Sequence, residues 1–403
     1  MRLKLITIIL SICLLSVILY FIRFGLQDNN RKIAAESQVI KFNEVNNTES
    51  QWGDDPKIGL SLFKTIGGED EMNLDYNFYR VQDLTADNSG HFYVLSRGDK
   101  CIRKYNKDGE FIRQFGRPGE GPGEFQEPVY LDLDNEGNMY IEDLRLEKMI
   151  IMDQSGNEIR RFSLENLPYN DPGMPIPQNS SYAGAYQEVM RLSSGRFVKL
   201  STYPFPPPMN TRPPELEKLC RIYEEDGKLY KEFGEARQYN DWLMNYWLSY
   251  KCSIARDEED NIYITFWNQN RIEKYDPEGN LILRISRPLP FEETTEKDVV
   301  IRLTLYAGEQ VETEALRYNT VSRGIDVDDK GRMWVVTSRD VSRRGEDFLH
   351  KFDIFGKNGV FLGSIDLDTF IGRYQQYFAI QGNRLFVLNK TELSVEIYDI
   401  INK

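Results

Sequence analysis

One hairpin pattern recurs along the chain and limits the possible folds more than any other feature. Its clearest form has an apolar strand, an Asp, a Gly or Asp three residues later, and a second strand with a central aromatic residue. Alternating apolar residues predict strands, and Asp or Gly between them predicts a tight turn, because these residues tolerate the turn backbone. Clear copies lie at residues 84–94, 131–141, 254–264 and 325–335, and weaker copies lie at residues 190–198 and 378–387.

A second repeated element, a short strand that ends in a Gly-containing turn, follows the hairpins. It occurs at residues 104–109, 151–156, 222–227, 274–279 and 351–359. The last hairpin is followed only by Val395–Asp399, and a strand of the missing outer type, Leu60–Ile66, precedes the first hairpin. We therefore expect Leu60–Ile66 to complete the sixth sheet and close a ring, which protects the sheet edges.

The predicted fold class is all-β. It is a six-bladed β-propeller with four-stranded antiparallel blades, closed by an N-terminal strand and preceded by one N-terminal apolar helix. A single meander cannot bury both of its faces, so its copies must stack against one another. The aromatic content of 12% suits such stacked sheets. One further segment, Glu292–Ala315, has helical spacing and is expected to form an excursion over the ring.

The repeat also carries a family resemblance. Residues 115–143, with the sequence FGRPGEGPGEFQEPVYLDLDNEGNMYIED, and residues 149–159, MIIMDQSGNEI, resemble an NHL-type repeat. Residues 56–399 are similar to six-bladed propeller proteins of the Bacteroides-group cell envelope, which are mostly of unknown function. The second blade matches well, and the third and fifth carry long insertions. The resemblance implies the fold and the cell-envelope compartment, and it supplies no catalytic residues.

The N-terminal segment predicts attachment to a membrane. Residues 1–26 are assigned to a membrane anchor or signal segment, residues 27–56 to a polar tether, and residues 57–403 to the propeller. Leu5–Ile22 is uncharged and nearly long enough to span a bilayer, and no cleavage site follows directly. An uncleaved anchor, with the propeller facing the periplasm or cell exterior, is therefore favoured over a cleaved signal. A lipoprotein modified at Cys13 is the alternative, although the preceding residue is a bulky Ile.

The charge of the chain argues against nucleic acid as a partner. The formal net charge is −13, and an acidic surface repels a phosphate backbone. The most regular carboxylates also have a structural explanation, because they stand at the hairpin turns, where Asp caps backbone amides. These residues are Asp87, Asp134, Asp257 and Asp328.

The sequence identifies no catalytic residue, no cofactor and no metal site. Its two histidines, His91 and His350, fall in different blades, and no Gly-x-Ser-x-Gly motif occurs. Cys101, Cys220 and Cys252 lack metal-ligand spacing and are expected to be buried thiols, while a Cys220–Cys252 disulfide is left open. We therefore expect a binding protein rather than an enzyme.

Four residues are candidates for the mouth of the central channel. Glu127 precedes an inner strand, and Arg80, Tyr250 and Arg323 stand at comparable positions in other blades. Carboxylates that converge there on a calcium ion would support the alternative function, a lactonase-like metal-assisted hydrolase or lyase. A ring of mixed polar residues is also ordinary in propellers, so the fold by itself does not establish catalysis.

Two insertions concentrate aromatic residues in predicted loops. Residues 201–218 carry Tyr203 and Phe205 in a proline-rich segment. The aromatic residues of the second insertion, residues 238–251, are Trp242, Tyr246, Trp247 and Tyr250. They either pack the loops onto the blades or form a binding surface, because exposed Trp and Tyr anchor recognition. We expect the loop face of blades three to five to bind a protein, peptide or glycan.

Overall fold

The regular structure of the chain consists of strands. The computed structural model describes residues 42–68, 71–163, 189–200, 218–235, 252–266, 271–286, 302–304, 310–312, 322, 324–338, 350–367, 377–390 and 392–403. No helix occurs in these ranges, so none there is long and apolar enough to cross a membrane. The predicted N-terminal helix and Cys13 lie outside the described residues.

The strands follow one another in short, regularly spaced segments. The first fourteen are β1 (Asn43–Asn46), β2 (Ile58–Gly67), β3 (Val81–Ala86), β4 (Phe92–Ser96), β5 (Cys101–Tyr105), β6 (Phe111–Phe115), β7 (Pro128–Leu133), β8 (Met139–Asp143), β9 (Lys148–Met152), β10 (Glu158–Phe162), β11 (Val189–Arg191), β12 (Phe197–Leu200), β13 (Lys218–Tyr223) and β14 (Leu229–Glu235). The others are β15 (Cys252–Arg256), β16 (Ile262–Phe266), β17 (Arg271–Tyr275), β18 (Leu281–Ser286), β19 (Arg302–Thr304), β20 (Gln310–Glu312), β21 (Gly324–Val327), β22 (Met333–Ser338), β23 (His350–Phe355), β24 (Phe361–Leu367), β25 (Phe378–Gln381), β26 (Arg384–Asn389) and β27 (Ser394–Asn402).

These strands form a six-bladed β-propeller, which confirms the predicted fold. Blades one to five are the antiparallel meanders β3–β6, β7–β10, β11–β14, β15–β18 and β21–β24. Blade six contains β25, β26, β27 and β2 in that order. The six hairpins found in the sequence are the two innermost strands of each blade.

The N-terminal strand closes the ring, as the sequence predicts. Strand β2 pairs antiparallel with β27 from Ile58 opposite Asn402 to Gly67 opposite Ser394, with one bulge between Leu62 and Lys64. The sixth blade is therefore built from both ends of the propeller sequence. Dissociation of its outer strand β2 would expose the edge of β27.

Residues 43–56 lie on the propeller rather than in the tether to which the sequence assigned them. Strand β1 adds a fifth, parallel strand to the outer edge of blade four by pairing with β18. The Asn47 side chain donates to the carbonyls of Ser286 (3.0 Å) and Gly359 (2.9 Å), which belong to blades four and five. The Trp52 amide donates to the Leu362 carbonyl at 2.8 Å. These contacts use backbone groups and one amide side chain, so apolar periodicity does not reveal them.

Apolar clusters join each blade to the next. Separate clusters connect blades one and two, two and three, three and four, and four and five, while one larger cluster joins blades five, six and one. Aromatic pairs mark these contacts, with ring centroids 4.7–5.7 Å apart for Phe92–Phe386, Phe352–Phe378, Phe233–Tyr275 and Tyr140–Phe197. The core is therefore distributed between the blades, as expected for stacked sheets.

One buried ion pair interrupts the apolar contact between blades two and three. The Lys199 ammonium on β12 contacts the Glu142 carboxylate on β8, and each residue is 2% exposed. Burial lowers the pKa of Lys199, and the neighbouring carboxylate opposes that effect. Each charge therefore depends on the other for compensation.

Two details differ from or complete the sequence predictions. The helical spacing of residues 292–315 is misleading for the part that the structure describes, because β19 and β20 form an antiparallel hairpin. The sequence also contains Gly308, a residue of low helix propensity. Cys101, Cys220 and Cys252 are buried thiols outside any disulfide, so the Cys220–Cys252 bridge is absent.

Candidate functional site

The central channel has two chemically distinct ends. Strands β3, β7, β11, β15, β21 and β25 surround a cavity of roughly 530 Å³. We call the end with the hairpin turns between first and second strands the turn face. The other end is the loop face, where each blade's second strand connects to its third and its last strand connects to the next blade.

The aspartates of the turn face are structural, as predicted. Asp134 accepts hydrogen bonds from the amides of Glu136 and Asn138, each at 2.9 Å, and from the Tyr140 hydroxyl at 3.0 Å. The same arrangement holds Asp87, Asp257 and Asp328, where the aromatic donor is Tyr93, Tyr263 or Trp334. These carboxylates cap turns and anchor the second strand, which leaves little of their hydrogen-bonding capacity for a ligand.

Three further aspartates latch neighbouring blades inside the channel. The Asp83 carboxylate accepts from its own blade at the Leu84 amide and from the next blade at the Leu131 amide, both at 2.9 Å. Asp132 bonds the amides of Leu133 (2.8 Å) and Arg191 (2.9 Å), and Asp326 bonds those of Val327 and Ile380, both at 2.8 Å. Each aspartate thus accepts from the amide that follows it and from the inner strand of the adjacent blade.

The channel environment changes the acidity of two of these latches. Burial raises the pKa of Asp83 and of Asp326 to about 7, against the effect of the backbone hydrogen bonds, which lower it. Other carboxylates contribute in the same direction as burial, from Asp132 for both residues and from Asp328 for Asp326. The native ring therefore holds protons at these sites more tightly than the unfolded chain does.

Asp326 should consequently make the propeller less stable as the pH rises. Its pKa is raised in the folded state, so its stabilising contribution is complete below about pH 4 and is lost as the pH passes through about 7. Between pH 5 and 8 the free energy of unfolding of Asp326→Asn should fall less than that of the wild type, by about 1–3 kcal/mol. Urea denaturation at each pH measures this difference. An equal fall in the free energy of unfolding for the variant and the wild type would contradict the raised pKa of Asp326. Asp366→Asn, an exposed change in the same blade, is the control.

A small pocket opens at the loop face between blades six and one. Its volume is roughly 360 Å³, and we call it the mouth pocket. It is lined by Tyr79, Arg80, Val81, Gln82, Arg97, Lys390 and Leu393. Three of these side chains are cationic, and among the described residues that line it none is acidic. The described lining of the mouth pocket is therefore cationic, within a chain of net charge −13.

Neighbouring residues hold these cations in place. The Arg97 guanidinium contacts the Glu127 carboxylate of blade two, and the Arg97 amide donates to the Arg80 carbonyl at 3.2 Å. The Lys390 ammonium lies 3.7 Å from the centroid of the Tyr377 ring, within cation–π range. Arg80 is exposed and has a left-handed backbone, with φ of 51°.

Burial and mutual repulsion weaken the protonated forms of two of the cations. Burial lowers the pKa of Lys390 to about 7, with a further lowering by Arg97 and an opposing effect of Asp83. Burial also lowers the pKa of Arg97, and the positive charge of Arg80 lowers it further. The three positive groups therefore act on one another within a single pocket.

The structure describes only some of the residues that the sequence proposed as a site. Arg80 lines the mouth pocket, whereas Glu127 lies beside it in the pair with Arg97. Arg323, Tyr203, Phe205, Trp242, Tyr246, Trp247 and Tyr250 lie outside the described residues. Sequence reasoning missed Arg97 and Lys390, which follow second strands rather than precede inner strands. Their equivalent position in the blade repeat is the signal that would have found them.

No metal or histidine site emerges from the described part of the chain. No group of three or more His, Cys, Asp or Glu side chains there is arranged to hold a metal ion. The His91 ring lies 3.1 Å from the turn carboxylate of Asp87 and therefore belongs to the turn face. Burial raises the pKa of the Cys101 thiol to about 11, which disfavours the reactive thiolate.

Comparisons with known proteins agree with the fold. Residues 75–187 match the DUF5128 family, described as a 6-bladed beta-propeller. No curated protein matches the chain significantly. A solved DUF4221-family protein from Bacteroides vulgatus is similar over 86% of this chain and 99% of its own, with 8% identity and a TM-score of 0.52. A Bacteroides fragilis protein described as exported is similar over 90% and 100%, with 11% identity and a TM-score of 0.50.

An enzyme is also among the similar structures. A streptogramin B lyase aligns over 85% of this chain and 98% of its own, with 12% identity and a TM-score of 0.45. At this similarity the lyase carries no argument about activity. The resemblance to Bacteroides-group propellers that the sequence suggested is confirmed, and identities this low establish the fold alone.

Proposed function

We propose that this protein is a non-catalytic cell-envelope propeller that binds a protein, peptide or glycan through its loop face. The main observation that supports this proposal is the placement of the long connections between strands. Residues 164–188, 201–217, 236–251, 287–323, 339–349 and 368–377 all join strand ends at the loop face. At the turn face, the described connections between successive strands of one blade are tight turns, and residues 47–57, which lead from β1 into β2, are the described exception. Long loops grouped on one side of a rigid scaffold are typical of a binding face.

The composition of the loop face supports recognition. Its described part exposes Met72 (89%), Leu74 (79%) and Tyr79 (56%) on the connection between β2 and β3. Two of the long connections carry the aromatic residues that the sequence analysis selected, and exposed apolar and aromatic side chains are the usual anchors of interfaces. At the turn face, the turn aspartates and their aromatic partners hydrogen-bond one another instead.

The proposed location rests on the N-terminal segment and on one neighbour. An uncharged run of eighteen residues, Leu5–Ile22, suits a membrane anchor or export signal. A structurally similar Bacteroides fragilis protein is described as exported. Both observations favour a propeller in the periplasm or at the cell exterior. The alternative function, a metal-assisted hydrolase or lyase, has no observation in its favour among the described residues.

Paired tryptophan variants test the binding face. The full-length chain is screened against a glycan array, a peptide library and envelope extract, and affinities are measured for the ligand identified. Trp242→Ala with Trp247→Ala should weaken binding at least thirtyfold, as expected when hot-spot aromatics are removed. Tyr230→Ala, an exposed aromatic change on the outer strand β14, is the control and should bind normally. Unchanged affinity in a folded double variant would reject this face as the site.

A further inference from the structure

We infer that the mouth pocket binds an anionic group of the ligand, either a carboxylate or a tetrahedral oxyanion such as phosphate or sulfate. The inference rests on the proposed function, because the pocket opens at the loop face. It deepens that proposal by assigning a chemical class to one part of the ligand. The residues that carry it are Arg80, Arg97 and Lys390.

The charge distribution along the channel points to an anion. The wall of the large cavity carries the latch aspartates and the turn aspartates, and Arg256 is the basic residue described there. At the loop face the sign reverses, since Arg80, Arg97 and Lys390 line the mouth pocket without an acidic neighbour in its described lining. A cationic pocket in a chain of net charge −13 focuses the local field and attracts an anion to that end.

The geometry presents three cationic side chains to the pocket. Arg97 is oriented by Glu127 on one side and by the Arg80 backbone on the other, so its position is fixed before a ligand arrives. Arg80 is exposed and takes part in no ion pair within the described ranges, and its guanidinium presents paired N–H donors suited to a carboxylate or phosphate. Lys390 adds a point charge at the pocket wall.

The electrostatics of the mouth pocket supports the same conclusion. Burial holds the pKa of Lys390 at about 7, with the Arg97 charge acting in the same direction. A bound anion would offset the repulsion from Arg97 and so raise the pKa of Lys390. By linkage, protonation of Lys390 should strengthen anion binding, so affinity should rise as the pH falls through about 7. Among the charged groups that act on Lys390, Asp83 favours its protonated form and Arg97 disfavours it.

Small anions provide a direct test on the full-length chain. Sodium sulfate and sodium glucuronate are titrated calorimetrically at constant ionic strength, with sodium chloride and glucose as reference solutes. We expect saturable binding of at least one anion and a rise in Tm of about 1–3 °C at tenfold excess over Kd. A preference for sulfate or for glucuronate identifies the tetrahedral oxyanion or the carboxylate as the recognised group. Failure of both to bind at 50 mM, on the order of ten times a weak Kd, would overturn the inference.

Charge-removing variants locate the site. Arg80→Gln and Lys390→Gln should each reduce anion affinity about tenfold or more, as expected for loss of a charge-assisted contact. Arg80 is exposed, so its variant remains informative if Lys390→Gln fails to fold. Arg145→Gln removes the same charge from the equivalent turn of blade two, outside the pocket, and should bind as the wild type does. Wild-type affinity in Arg80→Gln would overturn the assignment.

The outcome separates this inference from the proposed function. The Trp242 and Trp247 variants should retain small-anion binding while they lose the complete ligand. Ligand capture without anion binding would reject the mouth pocket alone. Anion binding with intact capture by the tryptophan variants would reject the aromatic face and leave the pocket in place.

Discussion

Deleting residues 1–68 should abolish cooperative folding, whereas deleting residues 1–57 should leave a folded ring. The longer deletion removes β2, which pairs with β27 along its whole length and contributes Ile58 and Ile66 to the core. It opens the cluster that joins blades five, six and one. The expected loss exceeds about 5 kcal/mol, which is comparable with the total stability of an ordinary domain. Thermal and urea unfolding followed by circular dichroism measure the effect.

The shorter deletion is the matched control for ring closure. It removes the N-terminal segment, strand β1 and the Trp52 contact but keeps every strand of the six blades. A cooperative transition at reduced midpoint is expected, because the deletion removes edge contacts on blades four and five, the packing of Trp52 and the Lys57–Lys403 backbone hydrogen bond, but no strand of a four-stranded blade. A similar transition in both deletions would show that β2 does not hold the ring together.

Replacing Lys199 by methionine should lower the free energy of unfolding by about 3–5 kcal/mol. The substitution leaves the Glu142 carboxylate buried between blades two and three without the cation it contacts. Methionine fills a similar volume, so the cost comes from the charge rather than from a cavity. Urea denaturation at pH 7 gives the difference directly.

Removal of both charges separates this explanation from a packing effect. Lys199→Met combined with Glu142→Leu should recover most of the lost stability, because an apolar pair of similar volume often replaces a buried ion pair at little cost. Glu142→Leu alone should also be destabilising, because it removes the carboxylate that the buried Lys199 ammonium contacts. If the double variant is as unstable as the sum of the single variants, the pair does not interact energetically.

The ring could be predicted because its determinants are local. Each hairpin carries its own alternation and turn residues, and the unpaired strand Leu60–Ile66 matches the strand missing from blade six. The turn aspartates could be assigned for the same reason, since an Asp caps amides two and four residues away. Because the hairpin pattern recurs in every blade, the repeat predicts the fold more reliably than any single hairpin does.

The remaining features depend on contacts between distant parts of the chain. Strand β1 has the sequence NEVN, and its pairing with β18 uses backbone groups that any residue provides. Asp83 and Asp326 become latches only when the next blade brings an amide within 3 Å. The cations of the mouth pocket come from distant parts of the chain, because Lys390 follows Arg80 and Arg97 by about 300 residues. No local sequence pattern predicts such contacts between distant residues.

The closure of the ring also has a consequence for biosynthesis. A ribosome delivers β2 early, but its partner β27 lies more than 300 residues later in the chain. At ordinary translation rates β2 waits roughly 15–70 s before that partner exists. During this interval it is an unpaired strand that could join another chain. The positive charge of Lys64 within this strand disfavours pairing with another chain, so it acts as a gatekeeper while the last blade is still being made.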